Sequence, residues 1–185
     1  GLSPEAKKKL SLWQMYLQVL KERPLLTKSL TTGVLMAVGN VAAQGIVIAK
    51  GKQKNISIRK LMSFIVFGVF ISGPLGHAWL KFLNGRKNKL KGQKLILYKI
   101  ALDRLAFGPC FNLLQMVFVY KASGQEWPKV WQSLKATFWS AQVLNWKMWP
   151  FAQFVNFNFV PPDLQLLYMN LIALVWTVAL SSIMN

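Results

Sequence analysis

The sequence predicts an all-α, polytopic transmembrane helical bundle, a single integral membrane domain over residues 1–185. Three observations carry this. Charged residues make up 15% of the chain against 54% hydrophobic residues, whereas a soluble domain carries about 25% charged residues. Several apolar runs are long enough to cross a bilayer as helices. Residues 145–162, NWKMWPFAQFVNFNFVPP, mix large aromatics with amides. A soluble core would leave so many amides short of partners. A membrane boundary suits both, with rings at headgroup depth and amides bonding to water or between helices.

The elements follow in order. Ser3-Pro4-Glu5 reads as a helix start, and Leu10, Trp13, Leu17 and Leu20 recur at helical spacing, predicting an N-terminal amphipathic helix on the membrane surface. Pro24 ends it or starts the next helix. A first span covers about 26–49, where Gly33, Ala37, Asn40 and Gln44 share a face of small residues and amides suited to helix packing. A basic loop, 50–60, leads to a second span over about 61–83. There Gly68, Ser72 and Gly76 lie at steps of four, and Gly73-Pro74 is expected to kink the helix. The lone His77 is read as a packing residue.

After a second basic loop, the third span, about 95–120, places Asp103 and Arg104 at a depth where isolated charge is costly. Neighbouring helix residues point apart, so each is expected to meet a partner on another helix. Arg104, Gly108, Asn112 and Gln115 form a second polar and small stripe, with Pro109 expected to kink the helix. Trp127-Pro128 opens a helix over 127–149 that carries Lys129, Lys135 and Lys147. It lies in the interface or crosses obliquely, and the sequence leaves both open. Pro150 and Pro161-Pro162 bracket the segment that follows. A last span covers about 164–183, with Asn170, Ala173, Thr177 and Ser181 on one face.

Net charge is +18. The basic residues sit between apolar runs, where they meet anionic headgroups rather than nucleic acid. With four spans both ends share a side, and the Lys/Arg bias places that side in the cytosol. The single cysteine, Cys110, excludes an internal disulfide and a cysteine metal cluster. No cleavable signal or lipid anchor is expected: 1–23 lack an apolar h-region, and Glu5 sits where a myristoylation motif wants Ser or Thr. There is no Gly-rich phosphate loop, carboxylate pair, nucleophile elbow or zinc helix, so no enzyme, metal or cofactor is expected.

The pattern Asn145-Trp146-x-x-Trp149-Pro150-x-x-Gln153-x-x-Asn156-Phe157-x-x-Val160-Pro161 resembles the hallmark of the peroxisomal membrane protein 2 family (the 22-kDa peroxisomal membrane protein), which includes mitochondrial inner-membrane relatives. Pro24 to Lys28 is similar to its P-x-x-T-K, Gly39 to Gln44 to its G-[ND]-x-x-x-Q, and Asp103-Arg104 with Pro109 to its D-R-x-x-x-x-P. Asn40 and Arg104 lean to the peroxisomal branch. The resemblance implies a weakly selective channel for small hydrophilic metabolites in the peroxisomal membrane, with cytosolic termini; the mitochondrial inner membrane is the alternative. Expected partners are the lipid bilayer, small metabolites and further copies of the chain in a homo-oligomer. The candidate pore or intramembrane polar residues are Asp103, Arg104, Asn112 and Gln115, then Asn40 and Gln44. Basic mouths should favour anionic metabolites, less so at high salt. The stripes equally suit dry helix seams, and then the chain is a non-conducting interaction or organising protein of the membrane.

Overall fold

Ser11 sets where the first described helix begins. Its hydroxyl accepts from the Gln14 backbone N–H at 3.2 Å, and the Gln14 side chain accepts from the Ser11 N–H at 2.9 Å. This reciprocal cap starts α1, Leu12–Glu22. The expected start at Ser3-Pro4 lies outside the residues that the computed structural model describes, 11–85 and 90–184. Helix α1 turns Leu12, Trp13, Met15 and Val19 outward and buries Leu20. The chain bends at Arg23, and Pro24 opens α2, Pro24–Ala49; a proline loses nothing there, since the first-turn N–H has no partner within the helix.

The next two helices, α3 (Ile58–Gly85) and α4 (Gly92–Ala122), each contain one π turn, at Gly68–Ser72 and Asp103–Phe107. Both turns stand immediately before a Gly-Pro pair, Gly73-Pro74 and Gly108-Pro109. Proline offers no N–H to the carbonyl four residues back. Each helix responds by widening one turn: the Gly73 N–H donates to Gly68 O and the Gly108 N–H to Asp103 O, five residues away. The kinks expected at these prolines thus take the form of π turns.

The extra residue changes which side chains share a face. Gly68 and Gly73, five apart, lie against α2, while Ser72 and Gly76 face an internal cavity instead of continuing one small-residue stripe. A Cβ on Gly68 would sit 2.7 Å from Gly33 Cα, and one on Gly73 would sit 2.5 Å from Ser29 Cα. The backbones of α2 and α3 therefore run in near contact, a close seam of the kind favoured in bilayers. On its other side α3 packs antiparallel to α4. Phe67, fully buried, meets Phe111 and Phe118, and Trp79 stacks on Phe107 at 4.6 Å.

The fifth helix, α5 (Trp127–Phe159), continues through Pro150 instead of stopping at about Trp149 as expected. An interior proline costs about 3 kcal/mol. Here α5 is clamped to α4 on both sides of it: Trp146 bonds the Arg104 carbonyl and Gln153 bonds Asp103. The two helices run antiparallel along their whole length. Asn158 meets Gln93 at one end, Gln142 meets Asn112 farther along, and Thr137 meets Tyr120 at the other end. The 127–149 stretch therefore follows α4 through the bundle rather than lying across its end.

The last helix, α6 (Gln165–Met184), runs parallel to α2. Asn170 bonds Thr32, Gly39 faces Leu174, and Asn40 and Thr177 share a cavity wall. A four-span layout with both ends on one side would need α6 antiparallel to α2. It is parallel because α5 makes an additional full traverse. Among the described residues three helices, α2, α3 and α4, are apolar and long enough to cross a membrane; α6 contributes the shorter apolar stretch Gln165–Val175.

Candidate functional site

Asp103 sits at the centre of the polar interior and is fully buried. Its carboxylate accepts from Trp79 Nε1 at 2.7 Å on one oxygen, and from Arg104 Nε at 2.8 Å, Arg104 Nη2 and Gln153 Nε2 on the other. Asn156 donates to the Gln153 carbonyl oxygen at 2.9 Å and holds that amide in place. A buried charge is tolerated only when paired and hydrogen-bonded in this way. The sequence expectation was half right: Asp103 does reach two other helices, but Arg104 closes back on its neighbour. The wide π turn brings these adjacent side chains together, where a regular turn would splay them.

The same π turn explains the start of the hallmark. Because Gly108 donates to Asp103 O, the Arg104 carbonyl loses its usual helical partner. Trp146 Nε1 donates to it at 2.9 Å. Trp146→Phe keeps the ring and removes the donor. It should lower stability by about 1–3 kcal/mol, the penalty for an unpaired carbonyl, read as an earlier thermal transition in detergent with the fold retained.

Beside this knot lies a cavity of about 160 Å³. All five long helices line it: Met36 from α2, Ser72 and Gly76 from α3, Arg104, Asn112 and Gln115 from α4, Gln142, Asn145 and Trp149 from α5, and Asn170 from α6. The Arg104 guanidinium stands 5.5 Å from the Trp149 ring centre. A smaller cavity, about 70 Å³, adjoins it, lined by Asn40, Phe64 and Thr177 and sharing Met36, Gln115, Asn170 and Ala173 with the first.

The predicted residues thus divide. Arg104, Asn112 and Gln115 line the larger cavity together, and Asn40 lines the smaller one. Asp103 stands behind the wall as its anchor. Gln44 touches neither cavity. Its amide donates to Asn40 Oδ1 at 2.7 Å and accepts from the Ser57 N–H at 2.6 Å and from Gln53 at 2.9 Å, tying the 50–57 loop to α2. Of the hallmark residues, Asn145 and Trp149 face the cavity, Gln153 and Asn156 build the knot, Phe157 lies under Lys99 Nζ at 5.6 Å, and the Pro161 carbonyl accepts from the Leu164 N–H at 2.9 Å in the turn into α6.

Sequence reasoning missed Trp79, Gln142 and Met36. Gln142 had a signal, since Gln142, Asn145 and Trp149 fall at steps of three and four on one face. Trp79 and Met36 had none, because their partners are distant in sequence. Among the described residues no three His, Cys, Asp or Glu come together.

The family described as Mpv17 / PMP22 matches the chain over residues 121–181, the stretch that holds α5 and most of α6. Peroxisomal membrane protein 2 of Bos taurus is 35% identical over 99% of this chain and 93% of its own length. Protein SYM1 of Gibberella zeae is 36% identical over 88% of this chain and 91% of its own. Mitochondrial inner membrane protein Mpv17 of Xenopus laevis is 31% identical over 92% of this chain and 95% of its own. No solved structure matches. With 31–36% identity over nearly the full length of these relatives, the chain belongs to the Mpv17/PMP22 family.

Proposed function

We propose that the chain is a passive, weakly selective passage for small hydrophilic metabolites through the peroxisomal membrane, with the mitochondrial inner membrane as the alternative setting. One observation carries this reading: two adjoining cavities lie along the bundle between the long helices, largely apolar in lining but bordered by Arg104 and by amides from four of those helices. Polar groups at bilayer depth that face a hollow rather than a seam are the mark of a hydrated path. The Arg104 charge is balanced by Asp103, so the interior selects by size and hydrogen bonding. Charge preference arises at the basic mouths and should fade with salt. The passage lies within one chain, so a homo-oligomer would multiply it rather than create it.

In this reading α2 to α6 make five traverses, and α1, with Trp13 and Met15 outward, rests on the membrane surface. In sequence, the segments on the side of the start of α2 carry more Lys and Arg than those on the other side, which in this reading puts that side in the cytosol. The end of α6 then faces the other compartment. An epitope tag ahead of α1 should be accessible on intact organelles and one after α6 protected. Accessibility of both would restore an even number of traverses.

The function is tested by reconstituting pure protein in a planar bilayer with a size series of neutral solutes. Discrete conductance with a size limit is the expected result. In parallel, with the native Cys110 replaced by Ser, cysteines at Asn112 or Gln115 should react with soluble thiol reagents, while one at the buried Ala152 should resist. Silent, folded protein with unreactive cavity cysteines would leave the organising role instead.

A further inference from the structure

We infer that Met36, Gln115 and Asn170 form the narrow point of the passage and set the largest solute it admits; this rests on the passage reading above. Together with the small Ala173, one turn on from Asn170, these side chains border both cavities, and so stand between them. They come from α2, α4 and α6 and converge from different sides.

The cavities are in series along the bundle. The larger reaches toward the start of α2, where Gly76 touches Leu166 from α6 and Ser29 touches Gly73. The smaller reaches toward the other end, past Asn40 and Thr177. A solute moving from one to the other has to pass these three residues.

Their chemistry differs. Asn170 is pinned: its Nδ2 donates to Thr32 Oγ1 at 2.8 Å, and that hydroxyl donates to the Lys28 carbonyl at 2.8 Å. Its Oδ1 is left as an acceptor. Gln115 makes no side-chain hydrogen bond among the described residues, so its amide can both donate to and accept from a passing group. Met36 is an unbranched thioether with three rotatable bonds, a compliant apolar plug. It rests against the π turn of α3, where a Cβ on Gly68 would stand 3.2 Å from its Sδ. A fixed acceptor, a free amide and a yielding thioether suit small uncharged solutes rich in hydroxyl and carbonyl groups. Such solutes exchange water for the two amides while they push Met36 aside.

The test uses the full chain in planar bilayers and liposomes with neutral polyols of graded size. Met36→Ala should raise the size limit and increase unitary conductance several-fold. Met36→Trp should lower both, and Met36→Leu, which keeps the volume, should leave them unchanged. Gln115→Leu should slow polyol flux more than the flux of small ions. Should Met36→Trp fail to fold, Met36→Cys in a Cys110→Ser background carries the test: it should react with soluble thiol reagents, and modification should reduce conductance. Conducting wild-type protein whose size limit is the same in every Met36 variant would overturn the narrow point and leave the passage standing. Folded wild-type protein that never conducts would overturn both.

Discussion

Asp103→Leu should leave almost no folded protein. The change strands the Arg104 guanidinium, the Trp79 indole N–H and the Gln153 amide, all of which now donate to one buried carboxylate. Removing one partner of a buried ion pair costs roughly 3–5 kcal/mol, a large part of a typical stability of about 5–15 kcal/mol. Asp103→Asn should act in the same direction with a smaller effect, since it keeps an acceptor for Trp79. Replacing Asp103 and Arg104 together by Leu should recover part of the loss, because no charge is left unpaired. Yield of monodisperse protein in detergent and its thermal midpoint report this. A singly substituted protein as stable as the wild type would mean that the knot carries little of the fold.

Gly68→Val should be nearly as damaging, for a reason of space rather than charge. Its Cβ would fall 2.7 Å from the Gly33 Cα, and backbone cannot move aside as a side chain can. Overpacking typically costs about 1–3 kcal/mol, and a collision with backbone belongs at or above the top of that range. Gly45→Ala is the control. It lies on α2, the helix that carries Gly33, with no atom within 4 Å of the added Cβ, and should be neutral or stabilising by up to about 1 kcal/mol, since alanine favours helix. Equal thermal midpoints for the two variants would show that the α2–α3 seam tolerates separation.

Both predictions depend on π turns, which marks the limit of what could be read in advance. The Gly-Pro pairs at 73–74 and 108–109 were legible as disturbances of their helices. Their form was not, because a proline can be accommodated by a kink, a break or a widened turn. The choice of a widened turn moved Gly73 onto the α2 seam and Ser72 into the cavity wall, and it allowed Arg104 to close on Asp103. Each of these departs from the regular four-residue spacing on which the stripes were drawn.

Composition and local pattern by themselves determined that this is an all-helical membrane protein, where its apolar helices fall, which polar residues lie at depth, and to which family its signature belongs. Those properties are written residue by residue, in hydropathy, periodicity and motif spacing. Only the tertiary structure decided that α5 passes through Pro150 along α4, that α6 consequently runs parallel to α2, and that Arg104, Asn112 and Gln115 face a cavity while Asp103 and Gln44 are fastened into seams. The physical reason is common to all of these. A buried polar side chain is placed by the partner that satisfies it, and for Asp103 those partners include Trp79 and Gln153, 24 and 50 residues away.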